Sequence, residues 1–413
     1  MIIEFSVANF RSIKEMQTIS FVAASIVSQN KEIDKNNLVE IDKNLSLLKT
    51  IAIYGANASG KSNVIKAMAV FFKFLRKTID NEEIGQEIEP FILNIIPPLH
   101  KPAPIYFQII FLVDNIKFRY GFEYLRGDED FEGEVISEWL FGTPQKNEVY
   151  YFKRENNKIE INKKQFPEGI GLENKTKKTH LFVNICSEFN GDIANYLRNN
   201  LMNYVCVIKP VEFQQIENNN IAKVAMPKYK QFVLALLKYA DIDISDFSLF
   251  KNKIYTKKNI LKENSKTYLY DFEEMESTGT QKIFHYAFTL YDILENNALM
   301  IIDELDAQLH PLLTRKIVQL FNSKANTGAQ LVFVTHDTHL LDKDLLRRDQ
   351  IYFTEKNKQG ETQCYSLADF NNIRNDASYE KDYIKGKYGA IPFLGDFEAL
   401  IQDIKQDIKQ EVN

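Results

Sequence analysis

The 413-residue chain contains only three cysteines: Cys186, Cys206 and Cys364. Three are too few for a disulfide framework, and their spacing is not that of zinc ligands. This scarcity argues against a disulfide-stapled secreted protein and against a cysteine-based metal site. We therefore expect a reducing, cytoplasmic setting.

The chain also lacks an excess of positive charge and long apolar runs. The formal net charge is −5 and the isoelectric point is near 5.8, which does not suggest a strongly basic nucleic-acid binder but still allows a local basic groove. No apolar run approaches the roughly 18 residues of a membrane span, and the start of the chain lacks a secretory pattern. We therefore expect a membrane role only through a partner.

The pattern of strands and helices predicts an α/β fold. Strand–helix–strand alternation occurs at both ends of the chain, with different sequence between them. We expect an N-terminal half over residues 1–141, which closes with an antiparallel β meander from Ile105 to Phe141. An insertion or lid then covers residues 142–270, and a C-terminal half covers residues 271–413. The insertion lacks sustained heptads, which excludes a long coiled-coil arm.

The segment GANASGKS, Gly55 to Ser62, matches the phosphate-loop pattern G-x-x-x-x-G-K-[ST] at every required position. A buried strand is predicted before it and an amphipathic helix after it, as the pattern requires. Its glycines let backbone N–H groups point at phosphates, Lys61 supplies positive charge, and the Ser62 hydroxyl is placed to ligate Mg²⁺. We expect ATP and Mg²⁺ as cofactors. The predicted nucleotide contacts are Gly55, Ala56, Asn57, Ala58, Ser59, Gly60, Lys61, Ser62 and Asn63.

An acidic pair follows the buried segment LMII. Asp303 and Glu304 stand where a central strand leaves the core, and burial alone does not favour two carboxylates there. Asp303 suits direct or indirect contact with Mg²⁺. Glu304 is placed to accept a proton from the water that attacks the γ-phosphate.

A histidine follows the next buried strand, in LVFVTHD. Thr335 and His336 occupy this position, where an imidazole can hydrogen-bond a γ-phosphate and sense its presence. The competing interpretation is a metal site with His339 and His310, but no third ligand is apparent. We expect His339 to be a surface residue at the start of a helix.

The segment STGTQ, which begins at Ser277, opens another predicted amphipathic helix. A serine cap alone explains such a start. However, the chain carries two helix starts suited to phosphate, at Lys61 and at Ser277, and one lysine-bearing loop. A head-to-tail pair of chains uses each start once per ATP, with the Ser277 hydroxyl as donor and Gly279 allowing close backbone approach.

The order of these motifs resembles the ATP-binding-cassette (ABC) ATPases of the SMC, RecF and OLD kind. STGTQ stands at the position of their signature, LDAQLHP (Leu305 to Pro311) matches the aspartate loop after the catalytic glutamate, and FRSI (Phe10 to Ile13) matches an early arginine motif. The resemblance implies an ABC-type P-loop ATPase head, a mixed sheet plus an antiparallel β subdomain, with a helical lid insertion. It also implies that Arg11 and Asp306 lie near the nucleotide, and that the signature helix donates to the ATP of a second subunit.

Two features depart from that family or suggest another activity. Gln108 is the available candidate for a glutamine that couples nucleotide to the lid, but it lies in the middle of a predicted strand. Asp342 and Asp344 form a D-x-D that is compatible with a nuclease. Because no glutamate–glycine metal-binding strand precedes them, we expect a solvated helix face instead.

The leading hypothesis is a Mg²⁺-dependent ATPase that acts as a nucleotide-gated switch. The C-terminal tail resembles that of compact stand-alone ATPases of two-gene abortive-infection systems, which implies control of a separate effector, a nuclease or toxin, in bacterial anti-phage defence. One alternative is a DNA-binding ATPase of recombination or repair that uses the lysines between Asn162 and His180. Another is an ATP-binding scaffold without turnover, which Glu304 and His336 argue against. No coupling segment of a transporter ATPase is apparent.

Overall fold

The computed structural model describes residues 1–76, 89–91, 103–127, 132–202, 205–207, 222–258, 268–371, 373 and 377–392. The strands are β1 (Ile2–Ala8), β2 (Gln17–Ser20), β3 (Leu38–Glu40), β4 (Ser46–Leu48), β5 (Thr50–Gly55), β6 (Ile105–Val113), β7 (Ile116–Leu125), β8 (Glu134–Thr143), β9 (Val149–Glu155), β10 (Lys158–Ile161), β11 (Val205–Val207), β12 (Asp246–Phe250), β13 (Lys253–Lys257), β14 (Tyr270–Asp271), β15 (Leu299–Ile302), β16 (Gln330–Val334), β17 (Ile351–Lys356) and β18 (Thr362–Ser366). The helices are α1 (Lys31–Asn36), α2 (Lys61–Arg76), α3 (Phe182–Glu188), α4 (Asp192–Met202), α5 (Pro227–Tyr239), α6 (Phe272–Met275), α7 (Thr278–Glu295), α8 (Pro311–Phe321) and α9 (Tyr379–Ile384).

Two large sheets organise these elements. One has six strands in the order β11-β15-β16-β5-β17-β18, all parallel except the antiparallel edge strand β18. The other has seven antiparallel strands in the order β10-β9-β8-β7-β6-β1-β2. Two smaller sheets pair β12-β13-β14 and β3-β4. The predicted mixed α/β fold with an antiparallel subdomain is confirmed.

Strand β5 lies inside the six-stranded sheet and is buried along its whole length. A parallel strand covered on both faces is expected to be an almost continuous apolar run, as IAIY is. Ile51 and Ile53 belong to the core shared with α2 and the antiparallel sheet. Ala52 and Tyr54 belong to the core on the other face, shared with α7 and α8. The residues that follow β5 are therefore held from both sides.

The antiparallel sheet alternates buried and half-buried residues, as expected for a sheet with one covered face. Its aromatic residues pack on α2: Phe71 of α2 stacks on Phe122 of β7 with ring centroids 5.7 Å apart. This packing fixes the direction of α2, whose first residue is Lys61.

Two predictions made from the sequence need correction, one on the end of the meander and one on a helix. The meander does not end at residue 141, because β9 and β10 continue the same sheet to Ile161. The helix expected around THLLDKDLLR is absent, and a short 3₁₀ turn, Thr338–Leu340, takes its place. The Asp342 carboxylate accepts from the backbone N–H of Asp344 at 2.9 Å, a local bond that competes with helix formation.

The C-terminal part of the described chain packs beside the end of β5. Tyr383 of α9 contacts the ring of Tyr54 at 6.0 Å and stacks on Phe353 of β17 at 5.3 Å. Glu380 of α9 accepts a hydrogen bond from the Thr338 hydroxyl at 3.0 Å. No helix within the described residues is both long and apolar enough to cross a bilayer.

Candidate functional site

Three neighbouring parallel strands end at one edge of the six-stranded sheet. β15, β16 and β5 lie side by side, so their carboxyl ends reach the same edge. The phosphate loop, residues 55–62, follows β5. Asp303 and Glu304 follow β15, and His336 follows β16. The fold thus brings together three motifs that are far apart in the sequence.

The phosphate loop curves around the amine of its own lysine. Lys61 is buried, and its Nζ donates to the carbonyl oxygens of Gly55 at 2.8 Å and Ala56 at 2.9 Å. Ala58 and Gly60 have positive φ values of 61° and 107°. Asn57 and Ala58 are exposed on the rim, Ser59 is buried, and Ser62 and Asn63 lie half-buried in the first turn of α2.

Two glycines are required where the loop packs against β17 and β18. A Cβ atom at Gly55 would lie 2.5 Å from the carbonyl oxygen of Thr354. A Cβ atom at Gly60 would lie 2.0 Å from Oγ1 of Thr362. Both distances are far below van der Waals contact, so no other residue fits either position without rearrangement.

A network of hydroxyl groups braces the loop, and motif analysis missed it. Ser59 Oγ and Thr354 Oγ1 share a hydrogen bond of 2.7 Å, and the Thr362 hydroxyl donates to the Ser59 carbonyl at 2.9 Å. Ser12 Oγ lies 2.7 Å from Thr362 Oγ1 and accepts from Asn63 Nδ2 at 2.6 Å. The turn after β1 and the β17–β18 hairpin therefore hold the loop from outside.

Arg11 lies in that turn with a left-handed φ of 52°. Its guanidinium pairs with Glu89 at 3.3 Å, and its backbone N–H donates to the Glu89 carbonyl at 2.6 Å. The described contacts to the phosphate loop come from its neighbour Ser12. A direct nucleotide contact by Arg11 stays a prediction.

The acidic loop after β15 carries two buried carboxylate oxygens without partners among the described residues. They are Oδ1 of Asp303 and Oδ1 of Asp306. Such atoms are costly unless something satisfies them, and Mg²⁺ prefers oxygen ligands of this kind. The donor set therefore fits a magnesium ion beside a phosphate. Glu304, between them, is exposed and has a left-handed φ of 55°.

Electrostatic coupling shows that the predicted catalytic groups lie close together. Burial lowers the pKa of Lys61 to about 8, and the carboxylates of Asp303, Glu304 and Asp306 act in the opposite direction. Burial, followed by the charge of Lys61, lowers the pKa of His336, and the same three carboxylates oppose this. His336 is exposed, so it remains accessible to a ligand.

Hydrogen bonds order the loop that carries His336. The Thr335 hydroxyl accepts from the Asp337 backbone N–H at 3.0 Å, and the Tyr54 hydroxyl donates to the Asp337 carbonyl at 3.3 Å. Asp337 also lies 2.9 Å from Nδ1 of His339, which is exposed at the start of the 3₁₀ turn. The loop is thus fixed on both sides of His336.

The histidines do not assemble a metal centre in the part of the chain that the structure describes. His310 caps α8, where its Nδ1 accepts from the Leu312 backbone N–H at 3.2 Å. No group of three His, Cys, Asp or Glu side chains there has the arrangement of a metal site. The D-x-D pair is not one either, since Asp342 pairs with Arg315 at 2.6 Å.

The signature turn begins α7 with Ser277 as its cap. Ser277 is exposed, and its Oγ accepts from the Thr280 backbone N–H at 3.2 Å. A Cβ atom at Gly279 would lie 2.7 Å from the Gln308 carbonyl oxygen. Gly279 therefore allows a close approach within its own chain, to the loop after the acidic pair, which sequence reasoning did not anticipate.

Gln108 is not brought to the phosphate loop by any described contact. It lies on β6 in the antiparallel sheet, where its Oε1 accepts from Trp139 Nε1 at 3.2 Å and from Arg119 at 3.5 Å. Its position is thus explained by cross-strand packing.

Comparisons with known proteins identify a matching family. A family model described as "AAA domain, putative AbiEii toxin, Type IV TA system" matches residues 51–342, well over half of the chain. No curated protein matches significantly. Among solved structures, the SMC head domain from Thermotoga maritima is similar at 14% identity and a TM-score of 0.44, covering 88% of this chain and 98% of that one. A structure of the SmcHead bound to the C-winged helix domain of ScpA is similar at 14% identity and a TM-score of 0.45, covering 88% of this chain and 97% of that one.

Proposed function

The chain belongs to the family of AAA ATPase domains described as putative AbiEii toxin of the Type IV TA system, and we propose that it is a cytoplasmic, Mg²⁺-dependent ATPase that works as a nucleotide-gated switch. In this proposal two chains assemble head-to-tail around ATP, and the assembly holds, releases or activates a separate effector. The setting is bacterial anti-phage defence.

The observation that carries the ATPase proposal is the convergence of the lysine loop, the acidic pair and His336 at one sheet edge. Backbone N–H groups of residues 55–63 cradle the phosphates, and Lys61 contributes its charge to the β- and γ-phosphates. When ATP binds, Lys61 Nζ replaces its hydrogen bonds to two loop carbonyl oxygens with hydrogen bonds to phosphate oxygens. Ser62 and Asp303 would hold Mg²⁺, which would supply positive charge next to the phosphates.

Glu304 serves as the base in this scheme. Its left-handed backbone is unusual for a residue other than glycine, and such conformations are held at a cost of about 1–3 kcal/mol when a site requires them. The next residue, Leu305, donates its N–H to the Val334 carbonyl at 3.0 Å, which ties the acidic loop to the strand before His336. Glu304 thus projects from a fixed backbone to accept a proton from water, and His336 hydrogen-bonds the γ-phosphate.

The head-to-tail assembly is supported by the exposure of the signature turn. Ser277 lies at the N-terminus of α7, an 18-residue helix, and helix starts of this kind bind anions. We propose that Ser277 and Gly279 of one chain contact the γ-phosphate held by Lys61 of the other. Asp306 then lies at the junction between the two chains.

The effector role is supported by the family's description, which names a toxin and a Type IV TA system. We propose that the partner is a separate nuclease or toxin and that ATP turnover sets how long it is held. Co-purification from native cells tests this part without reference to the ATPase chemistry.

A phosphate-release assay with Glu304→Gln tests the ATPase. We expect release to fall at least about 100-fold, since general bases contribute roughly 10²–10⁴ to such reactions, while ATP affinity stays within about threefold. Asp344→Asn, which changes an exposed carboxylate outside the site, serves as the control and is expected to match the unsubstituted protein. If Glu304→Gln releases phosphate at the wild-type rate, Glu304 is not the base.

A DNA-binding ATPase is the second candidate, and one contact favours it. Buried Arg154 donates to the carbonyl oxygens of Lys177, Lys178 and His180, so the lysine-rich loop is held rigidly on the surface. Lys178 is partly neutralised by Glu134 at 3.6 Å. A DNA affinity that falls steeply with salt supports this candidate, and an affinity without salt dependence contradicts it.

A further inference from the structure

Lys282 is a buried cation on α7 with no role in the motifs above. Its residue is 1% exposed, and its Nζ donates to the Ala307 carbonyl oxygen at 2.5 Å. Ala307 lies in the acidic loop after β15, residues 303–309, which also carries Glu304 and Asp306. The bond therefore runs from the signature helix to the loop after β15.

Burial of an ammonium group needs a compensating reason. Burial lowers the pKa of Lys282 to about 8, and the carboxylates of Asp306 and Glu304 act in the opposite direction. An apolar side chain of similar length avoids this desolvation penalty, and replacing buried charge by well-packed apolar residues is often neutral or stabilising. Core packing alone therefore does not account for a lysine at this position.

A second contact joins the same two elements one turn earlier. Gly279 lies so close to the Gln308 carbonyl oxygen that a Cβ atom there would be 2.7 Å away. Glu304 and Gln308 of the acidic loop both have positive φ, with values of 55° and 62°. A loop with two such residues needs external contacts to hold its shape, and α7 supplies them through Gly279 and Lys282.

We propose that Lys282 is a positioning residue that locks the acidic loop to the first turns of α7, so that Glu304 and Ser277 move as one rigid unit. This inference rests on the proposed ATPase function, since Glu304 serves a phosphate in its own chain and Ser277 serves one in the other. In a head-to-tail pair, Lys282 then couples closure of the nucleotide site that Ser277 contacts to the geometry of the nucleotide site that Glu304 serves. The expected signature is a loss of turnover with little loss of nucleotide affinity.

The test compares Lys282→Met and Lys282→Arg with a matched control, Lys49→Met. Lys49 is 3% exposed and its Nζ donates to the Ser323 carbonyl at 2.9 Å, so it is also a buried lysine bonded to a backbone oxygen. It ties the residue before β5 to the segment after α8, rather than α7 to the acidic loop. Loss of stability is therefore common to both Met variants, whereas an effect on the acidic loop is specific to Lys282.

Steady-state kinetics give the first readout. We expect Lys282→Met to lower kcat at least about tenfold with ATP affinity, measured with a fluorescent ATP analogue, within about threefold. Lys282→Arg is expected to recover most of kcat, because its guanidinium also donates to a carbonyl. Lys49→Met is expected to keep kcat within about twofold. A Lys282→Met kcat equal to that of Lys49→Met overturns the inference, as does a loss that arginine fails to restore.

Amide hydrogen exchange in the ligand-free protein gives a readout that does not need ATPase activity. The N–H groups of Ala307 and Leu309 donate within the acidic loop, to the carbonyls of Glu304 and Asp306. We expect Lys282→Met, and not Lys49→Met, to speed exchange in this loop at least about tenfold. Unchanged exchange overturns the inference. If the wild-type protein does not turn over ATP but Lys282→Met still speeds exchange in this loop, the proposed function is refuted. The contact that locks α7 to the acidic loop is then still established.

Discussion

At the residue scale, the shape of the phosphate loop depends on the absence of a side chain at Gly60. Its φ of 107° and the closeness of Thr362 impose two separate demands. A Cβ atom is disfavoured by the backbone conformation and also collides with the threonine side chain. The loop and the β17–β18 hairpin thus fit together only through glycine.

Gly60→Ala is therefore expected to destabilise the protein by about 3 kcal/mol, combining overpacking with a left-handed alanine. ATP affinity is expected to fall at least about tenfold, because the loop N–H groups no longer converge on phosphate. Gly171→Ala is the control, since Gly171 has a φ of 85° but no atom within 4 Å of its Cβ position. Chemical denaturation measures the change in stability, and nucleotide titration measures the change in ATP affinity. Equal effects at Gly60 and Gly171 would contradict the proposed collision with Thr362.

The sequence identified residues whose chemistry is carried by a local pattern. Lys61, Asp303 and His336 each come after an apolar strand in the sequence, whereas their convergence depends on the order of β15, β16 and β5, which the structure shows. Ser12 and Thr362 gave no such signal, although they bond to each other across 350 positions. Single hydroxyl residues are common on any surface, and only the fold shows that these two brace the phosphate loop.

At the element scale, a helix or strand was predicted correctly when the interactions that determine it lie within the element itself. β5 and α7 were predictable because apolar periodicity and a serine cap lie within the element itself. The extension of the meander depends instead on pairing between strands: β9 pairs with β8, for example Phe152 with Leu140, and β10 pairs with β9. The missing helix after His336 depends on side-chain bonds of Asp337 and Asp342 to nearby backbone N–H groups.

Lys49 joins two elements, and its burial has a consequence for stability against pH. Burial lowers the pKa of Lys49 from its ordinary value of 10.5. Between the lowered value and 10.5, the unfolded chain holds a proton that the folded chain has lost, so rising pH favours the folded state through this group. The unfolding free energy of the wild type, minus that of Lys49→Met, is therefore expected to rise as the pH increases toward 10.5.

Lys14→Met provides the control for this measurement. A hydrogen bond with Glu361 raises the pKa of Lys14, so its contribution is kept up to the ordinary value and lost only as pH rises through the folded pKa. The corresponding difference is therefore expected to stay flat or fall over the same range. Denaturant titrations at each pH supply both differences, and a flat profile for Lys49 refutes the assigned effect of burial.

At the scale of the whole molecule, the family match confirms the ATPase class that the order of motifs predicted. The pairing of two chains stays a proposal, because its basis is one exposed helix start and one lysine loop. The question is whether the Lys61 loop and the Ser277 turn that share an ATP belong to one chain or to two. Pairs of differently substituted chains separate these possibilities.

All chains in this experiment carry Glu304→Gln, which in this scheme prevents hydrolysis and leaves ATP bound. The amount of nucleotide that remains bound after rapid desalting then measures the number of intact sites. Two differently tagged chains, one with Lys61→Met and one with Ser277→Arg, are co-expressed, and the mixed pair is isolated through both tags. If sites form between chains, this pair keeps one intact site and retains about one nucleotide, against about two for the unsubstituted pair.

The control places both substitutions in one chain and pairs it with an unsubstituted chain. If sites form between chains, the Lys61→Met loop faces an intact Ser277 turn, and the intact Lys61 loop faces the Ser277→Arg turn. Neither site is then complete, and we expect the pair to retain no nucleotide. If Lys61 and Ser277 act within one chain, the two pairs exchange their results, because the unsubstituted chain then keeps a whole site while the singly substituted chains have none. That reversal refutes head-to-tail assembly, since both arrangements contain the same substitutions in the same numbers.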